Sequence, residues 1–191
     1  MKWCAGRLPV PEVLGLEAGV LSMSALPGVN LTEVPIDSAV AVMAEALDLI
    51  HAVSTEHCSL HADWATRLHQ AELRVKGGVV DESDFDADNL GRTAADILAE
   101  LHSLPPLPPL TCFTHGDACL PNFLTHSGVL TGVVDVGRAG LGHPAQDWAL
   151  ALRSMRDNFG SDAEQSLREH VPQHSRDEAL LRRFRLLDEL F

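Results

Sequence analysis

A short run of polar residues between positions 115 and 135 carries the clearest chemical signal in this sequence. His115-Gly116-Asp117 is followed by Asn122, five residues after Asp117, and by Asp135, eighteen residues after it. Phosphoryl transfer from a nucleotide needs a carboxylate that accepts the proton of the receiving hydroxyl group, and it needs oxygen ligands for magnesium. The spacing therefore predicts that Asp117 is the base and that Asn122 and Asp135 are magnesium ligands.

A predicted strand and loop carry the base. Residues 110–114 form an apolar run with β-branched residues, which is typical of a buried strand. Gly116 and Pro121 then force an irregular loop, and Asp117 lies in that loop. Alone, a histidine and an aspartate at a strand end often do no more than bond their own loop, so the wider pattern carries the argument.

The metal ligands are positioned by a predicted hairpin. Residues 122–135 read as a strand, a turn at Ser127-Gly128 and a second strand. Folding about this turn places Asn122 opposite Val133 or a neighbour. We therefore expect Asp135 to lie within a residue or two of Asn122, as in the aspartate, asparagine and second aspartate pattern of protein kinases.

The longer segments around these residues are also distinctive. They read H-G-D-A-C-L-P-N, then T-G-V-V-D-V-G-R-A-G-L-G-H-P-A-Q-D-W, and the sequence closes with L-L-D-E-L-F. In these segments, and upstream in A-G-R-L-P-V-P-E-V-L and L-S-M-S-A-L-P-G-V, the chain resembles the aminoglycoside 3′-phosphotransferases. The resemblance implies an α+β, protein-kinase-like fold with a mostly helical C-terminal lobe. It also implies transfer of phosphate from ATP, with Mg²⁺, to the 3′-hydroxyl of an antibiotic, and hence antibiotic resistance.

The same resemblance implies roles for particular residues. His115 and Arg138 would join Asp117 as catalytic residues, and the adenine of ATP would bind the hinge at Met23, Ser24 and Leu26. The aminoglycoside would be bound by acidic groups, by an arginine and by the terminal carboxylate. These substrate-binding residues are Asp84, Asp86, Arg153, Asp157, Asp188, Glu189 and Phe191.

The sequence departs from the family near its start and at single positions. In the family a phosphate-covering loop, a strand lysine and a helix glutamate precede the hinge, and none of them is recognisable here. Lys2 lies too close to the hinge to be that lysine, and the one glycine cluster, residues 137–142, follows the catalytic loop. His143 and Asn158 also stand where the family has acids.

These departures lead to an expected division of the chain. Residues 1–27 would be a two-stranded remnant of the nucleotide-binding lobe with the hinge, and residues 28–191 the helical lobe with the catalytic loop. Unpaired strand edges in the remnant predict self-association or completion by a partner chain. Weak nucleotide binding and slow transfer are expected if the phosphate-binding lysine is absent.

Composition limits the functional classes. The formal net charge of −13 argues against nucleic acid as a partner and suits a polycationic ligand. The four cysteines show no paired spacing, so no disulfide framework or zinc ribbon is predicted. No apolar run approaches the roughly 20 residues that span a bilayer, and no signal peptide is evident, so we expect a cytoplasmic protein without membrane contact.

Helices are predicted from apolar spacing and capping signals. A core-facing helix is expected over about 38–53, with His51 at its surface or cap, and another is expected to stop at Gly77-Gly78. Thr93 is predicted to cap a third helix, which an extended proline-rich connector at 104–109 follows. Three further helix starts are predicted, one at Pro144 and two at the capping boxes that Ser161 and Ser175 would open.

Three alternatives remain open from the sequence. The chain could be a catalytically inactive fragment that still binds aminoglycosides, or another small-molecule kinase of the same fold. A metal hydrolase using His115, Asp117, His126 and His143 is the third, although these residues lack the spacing of a zinc-protease motif.

Overall fold

The computed structural model describes residues 1–108 and 110–191 of the chain. Over these residues the fold is mostly helical α+β, as predicted, with three small antiparallel sheets. The helices are α1 (Ile36–His51), α2 (Trp64–Gly77), α3 (Ala94–Ser103), α4 (Ala145–Phe159), α5 (Ser161–Arg168) and α6 (Glu178–Asp188). The strands are β1 (Val13–Glu17), β2 (Val20–Met23), β3 (Val29–Asn30), β4 (Cys112–Thr114), β5 (Phe123–His126), β6 (Val129–Val133) and β7 (Gly140–Gly142).

Helix α4 forms the centre of the core. Its apolar side chains are almost fully buried, with Trp148 and Leu152 inaccessible to solvent, and it packs against α1, α5 and α6. Burying a leucine side chain stabilises a fold by roughly 1.5–3 kcal/mol, so this helix is a rigid platform. It follows Pro144 and ends before Gly160, as the sequence predicts.

The first three helices lie close to their predicted positions. Helix α1 begins and ends about two residues earlier than expected. Helix α2 ends with Gly78 in the left-handed conformation, and Thr93 caps α3 in a reciprocal capping box with Asp96. The expected connector at 104–109 ends at Pro109, which lies outside the described residues.

Both capping-box predictions for the last two helices are wrong. Ser161 is the first residue inside α5, and Gly160 precedes it without a side-chain cap. Ser175 is instead the buried last residue of the preceding turn, and Asp177 caps α6 by accepting a hydrogen bond from the Leu180 amide. Asp177 lies directly before the first helical residue and can cap the helix, whereas Ser175 lies two residues earlier, outside the helix.

The predicted hairpin and its register are confirmed. Strands β5 and β6 pair antiparallel with Phe123 opposite Val133, and the Val134 amide donates to the Asn122 carbonyl at 2.9 Å. Asp135 therefore follows directly after the residue opposite Asn122. Strand β3 adds to the other edge of β5, so the metal-ligand candidates lie at one end of a three-stranded sheet.

Strand β4 leads into the loop that carries Asp117, and its pairing partner β7 contains two of the clustered glycines. The backbone of residues 60–62 runs beside β7, with the Leu141 amide bonded to the Leu60 carbonyl at 2.9 Å. A Cβ atom at Gly140 or Gly142 would lie 2.9 Å from this backbone. The glycines are therefore required by close packing and not by phosphate binding.

The N-terminal hairpin of β1 and β2 is present as predicted, but its apolar side chains face solvent. Leu14, Leu16 and Val20 are each about two-thirds exposed, at 64%, 69% and 65%. The hairpin forms a sheet of its own and does not join the three-stranded sheet. Within residues 1–108 and 110–191, no helix is long and apolar enough to cross a membrane.

Candidate active site

The loop that carries Asp117 is fixed from below by helix α4. The Asp147 carboxylate accepts hydrogen bonds from the His115 and Gly116 amides, both at 2.8 Å. The Gln146 side chain donates to the Gly116 carbonyl at 3.1 Å. Gly116 has a positive φ of 82°, and a Cβ atom there would lie 2.2 Å from the Arg138 carbonyl oxygen. Only glycine fits this turn without displacing the segment after Asp135.

Asp147 is a fully buried anion with three hydrogen-bond donors. The third donor is His51, whose Nε2 lies 3.0 Å from the Asp147 carboxylate. Burial alone would raise the pKa of the Asp147 carboxyl, but His51, the charge of His115 and the Gly116 amide outweigh burial and hold this pKa below its ordinary value. His51 was expected at the surface, and that prediction is wrong because its ring turns inward onto this carboxylate.

His115 supports the loop from behind. Its Nδ1 accepts a hydrogen bond from the Asp117 amide at 3.2 Å, so its Nε2 donates to the Val134 carbonyl at 2.9 Å. The side chain is 1% exposed, and its ring packs on Phe123. The family resemblance implies a catalytic role for His115. In the structure its ring connects the loop to the hairpin and does not face the cleft.

The Asp117 carboxylate is half-buried and open to a cleft. Within the described part of the chain, its side-chain hydrogen bond is from the Cys119 thiol to Oδ1 at 3.3 Å. Burial, followed by the charge of Asp117, raises the pKa of the Cys119 thiol to about 12, so this cysteine stays protonated. Asp117 thus keeps acceptor capacity for a hydroxyl group.

Asn122 and Asp135 are the side chains that fit a magnesium ion. The Asn122 amide nitrogen donates to the Asp117 carbonyl at 2.8 Å, which leaves its side-chain oxygen available as a ligand. Asp135 is exposed and adopts a left-handed conformation with φ of 52°. Among the described residues no cluster of three or more histidine, cysteine or acidic side chains could hold a metal. Magnesium commonly takes one or two protein oxygens and completes its shell with phosphates and water, so this pair suffices.

A polar cleft of about 400 Å³ opens beside Asp117. Every residue that the sequence analysis assigned to the substrate lines it, together with Asp117 and Arg138. The acids around it are Asp81, Asp84, Asp86, Asp117, Asp157, Asp188 and Glu189. Asp81, Phe85 and Arg74 also line the cleft, and sequence reasoning missed their place there.

Some of these acids already have partners within the protein. Asp188 accepts hydrogen bonds from Arg153 and, at 2.9 Å, from Arg138. Glu189 accepts from the Asp86 amide at 3.1 Å and from Asn89 at 2.7 Å. Burial raises the pKa of the Glu189 carboxyl despite these bonds. Both side chains therefore shape the wall of the cleft.

Other acids in the cleft are more accessible. Within residues 1–108 and 110–191, the Asp84 carboxylate has no cation within 4.0 Å, and Asp86 lies 3.7 Å from Arg153. Asp157 is half-exposed, and its carboxylate accepts a hydrogen bond from Arg156 at 3.2 Å. Asp84, Asp157 and Asp117 can therefore approach a cationic ligand without first losing a buried ion pair, whereas Asp86 shares Arg153 with Asp188.

The predicted hinge lies apart from the acidic cleft. Ser24 pairs with Glu12, because its amide donates to the Glu12 carbonyl and its hydroxyl accepts from the Glu12 amide, each at 2.9 Å. Met23 is 41% exposed, and Leu26 packs on Gly132 of the hairpin. The hinge thus contacts the strand that leads to Asp135, but Ser24 has used its own backbone N–H group.

The metal-hydrolase alternative is overturned by the positions of its residues. His126 is exposed at the far end of β5, whereas His143 is buried at the start of α4. His115 already uses both ring nitrogens. These histidines do not converge with Asp117 on one point.

Comparison with known proteins identifies the family of this chain. The model of the phosphotransferase enzyme family matches residues 1–187. Aminoglycoside 3′-phosphotransferases of Escherichia coli and Niallia circulans are 32% and 31% identical over the whole chain, which spans 74% and 76% of their lengths.

Solved structures agree in fold. An aminoglycoside 3′-phosphotransferase of type VIII superposes with a TM-score of 0.86 at 29% identity, covering 100% of this chain and 77% of that one. An aminoglycoside phosphotransferase of Streptomyces rimosus, solved with ADP and streptomycin, superposes with a TM-score of 0.85 at 23% identity, covering 99% and 78%. The chain belongs to the phosphotransferase enzyme family and is a relative of the aminoglycoside 3′-phosphotransferases.

Proposed function

We propose that this chain transfers the γ-phosphoryl group of ATP to the 3′-hydroxyl of an aminoglycoside antibiotic and so confers resistance. The observation that carries the proposal is the position of Asp117. Its loop is bonded to the buried Asp147, and its carboxylate opens into a cleft rich in acids. A positioned base beside a site for a polycation is the arrangement that this reaction needs.

The residues divide the work between binding and chemistry. Asp84, Asp86 and Asp157 attract the ammonium groups of the sugar and orient its hydroxyl toward Asp117. Asp117 accepts the hydroxyl proton as the oxygen attacks the γ-phosphorus, and the leaving group is ADP. Asp188, Glu189 and the carboxylate of Phe191 complete the substrate site, and Arg138 and Arg153 hold Asp188 in place.

Asn122 and Asp135 would hold the magnesium ion, which neutralises charge on the transferring phosphate. Both lie at the end of the β5–β6 hairpin, where the Asn122 side chain donates a hydrogen bond to the Asp117 carbonyl. Met23, Ser24 and Leu26 are the proposed adenine contacts, with residues 1–27 as the nucleotide-side unit and residues 28–191 as the helical unit. The carbonyl groups of the hinge are the available partners for adenine, because the Ser24 amide is already bonded.

A second candidate function is aminoglycoside binding without transfer. It is favoured by the acidic cleft, because the side chains proposed to bind the antibiotic line the cleft without any contribution from a nucleotide. In this case the cleft binds the antibiotic, but no phosphate is transferred.

The test is a transfer assay with labelled ATP, Mg²⁺ and kanamycin, combined with calorimetry of kanamycin binding. Replacing the base in an Asp117→Ala variant should lower kcat by about 100- to 10,000-fold, because a positioned base contributes that much. Kanamycin binding should persist in this variant. Asp48→Ala, an exposed acid of α1, is the matched control and should keep wild-type turnover.

Other results would change the conclusion in defined ways. Equal turnover by the wild type and Asp117→Ala would reject Asp117 as the base. Kanamycin binding without transfer would support the second candidate. Absence of both binding and transfer would reject both functions.

A further inference from the structure

A second, smaller cavity shares Arg138 and Phe191 with the acidic cleft. Its volume is about 150 Å³, several times the roughly 30 Å³ that one water occupies in the liquid. Arg67, Arg138 and Phe191 line it, with His61 and Gln70 also in its wall. The residues that line it include no aspartate or glutamate, whereas seven acids line the larger cleft. The terminal carboxylate of Phe191 is bonded to Arg74 at 2.6 Å, so the arginines in the lining make the smaller cavity attractive to anions.

Arg67 is the most unusual residue of this cavity. Only 3% of it is exposed, and within the described part of the chain no acceptor bonds its Nε and no carboxylate lies within 4.0 Å. Burial, followed by the charge of Arg138, lowers the pKa of its guanidinium to about 10, so Arg67 remains charged at neutral pH. A buried cation without a paired anion is unfavourable, because it has lost water and gained no partner.

Both arginines pack against the ring of Phe191. The Arg67 guanidinium carbon lies 4.0 Å from the centroid of the Phe191 ring, and that of Arg138 lies 4.9 Å from it. The aromatic ring offsets part of the charge but supplies no hydrogen-bond acceptor in a plane with the guanidinium. Arg138 bonds Asp188 through Nη1 and also lines the small cavity. Two planar donor groups thus line one cavity whose wall contains no aspartate or glutamate.

We propose that this cavity binds a small tetrahedral oxyanion such as inorganic phosphate, held between Arg67 and Arg138 with Gln70 at the rim. Paired guanidinium groups match the geometry of phosphate oxygens and donate charge-assisted hydrogen bonds to them. The anion would supply the partner that Arg67 lacks and would screen the repulsion between the two arginines. This site shares Arg138 and Phe191 with the acidic cleft, but phosphate binding there does not depend on the proposed function.

The proposal predicts saturable phosphate binding to the complete chain in EDTA, where magnesium cannot recruit phosphate to the Asp135 side. Thermal unfolding at constant ionic strength should show a melting temperature that rises with phosphate or sulfate and not with chloride. Arg67→Met should weaken phosphate binding at least tenfold by calorimetry. Arg182→Met, an exposed arginine of α6 paired with Glu100, is the matched control and should bind phosphate like the wild type.

A second pair of variants protects the test if Arg67→Met fails to fold. Gln70 is exposed, so Gln70→Glu and Gln70→Lys alter the charge at the rim and leave the core intact. Phosphate affinity should fall several-fold in Gln70→Glu and rise in Gln70→Lys. Equal phosphate affinity in these two variants, or a phosphate effect no larger than that of chloride, would overturn the proposal.

Discussion

The catalytic loop and the N-terminal hairpin are both short and rich in turns, yet their surroundings are opposite. The loop is bonded to a buried anion, Asp147, and rests on a helix whose side chains are almost fully buried. The hairpin formed by residues 13–23 pairs with itself and exposes Leu14 and Leu16. The geometry of the loop is therefore fixed by the buried helix beneath it, and not by regular secondary structure within the loop.

Removing the buried anion should produce the largest change. In Asp147→Asn one carboxylate oxygen becomes an NH₂ group. This new donor then faces one of the N–H groups from which the wild-type carboxylate accepts hydrogen bonds, namely the His115 and Gly116 amides and the His51 ring. Breaking a buried, charged network of this kind costs about 3–5 kcal/mol, and we expect urea unfolding to show a loss in that range. kcat should also fall, because the Asp117 loop loses its anchor.

The control for this variant is Asp48→Asn, which makes the same chemical change on the exposed face of α1. Its free energy of unfolding should stay within about 0.5 kcal/mol of the wild type. If Asp147→Asn were as stable and active as this control, the buried anchor would have no role.

A smaller, pH-dependent effect is expected at His143. Its Nδ1 accepts a hydrogen bond from the Ala145 amide at 3.1 Å, and its buried Nε2 has no acceptor within the described residues. Burial, followed by the charges of His174, Arg183 and His51, lowers the pKa of His143 from 6.5 to about 4. The folded chain thus keeps this ring neutral where the unfolded chain protonates it.

The sign follows from proton uptake. Between pH 6.5 and about 4 the unfolded chain binds more protons at this position, so stability falls as the pH falls. The loss approaches, at most, about 3 kcal/mol near pH 4. His143→Gln should flatten the stability profile in this window, whereas the exposed His126→Gln should leave it unchanged. Parallel profiles for the wild type and His143→Gln would contradict the assignment.

The smallest stability effect is expected in the hairpin, and a matched pair of substitutions tests the contrast. Leu152→Ala in α4 should cost about 2–5 kcal/mol, because it leaves a cavity in the core. Leu16→Ala in β1 should change the free energy of unfolding by less than about 0.5 kcal/mol. Exposed apolar strands favour association, so Leu16→Ala should also reduce any self-association in sedimentation velocity. Equal losses of stability in the two variants would contradict the contrast.

The same contrast explains which features the sequence could predict. The β5–β6 register followed from strand alternation and the Ser127-Gly128 turn, since both signals are local. The acidic residues of the cleft came from resemblance, because residues 81–86 and 188–189 are far apart in sequence and meet only through the packing of the helices.

The anchoring of the catalytic loop was not predictable from local patterns. Asp147 is one of several polar residues in α4, and its partner His51 lies 96 positions earlier. Buried carboxylates require partners, but local sequence does not distinguish the buried Asp147 from the exposed Asp157 of the same helix. The capping boxes at Ser161 and Ser175 were predicted wrongly because the neighbouring residues Gly160 and Asp177 occupy the N-cap positions of those helices.

The most direct measurement of the central claim compares kanamycin with its 3′-deoxy analogue as acceptors for labelled phosphate from ATP. The account predicts that the chain binds both compounds with similar affinity, because both carry the ammonium groups that the cleft attracts, and phosphorylates only kanamycin. Phosphate transfer to the 3′-deoxy compound at a similar rate would show that Asp117 does not face the 3′-hydroxyl and would contradict the account.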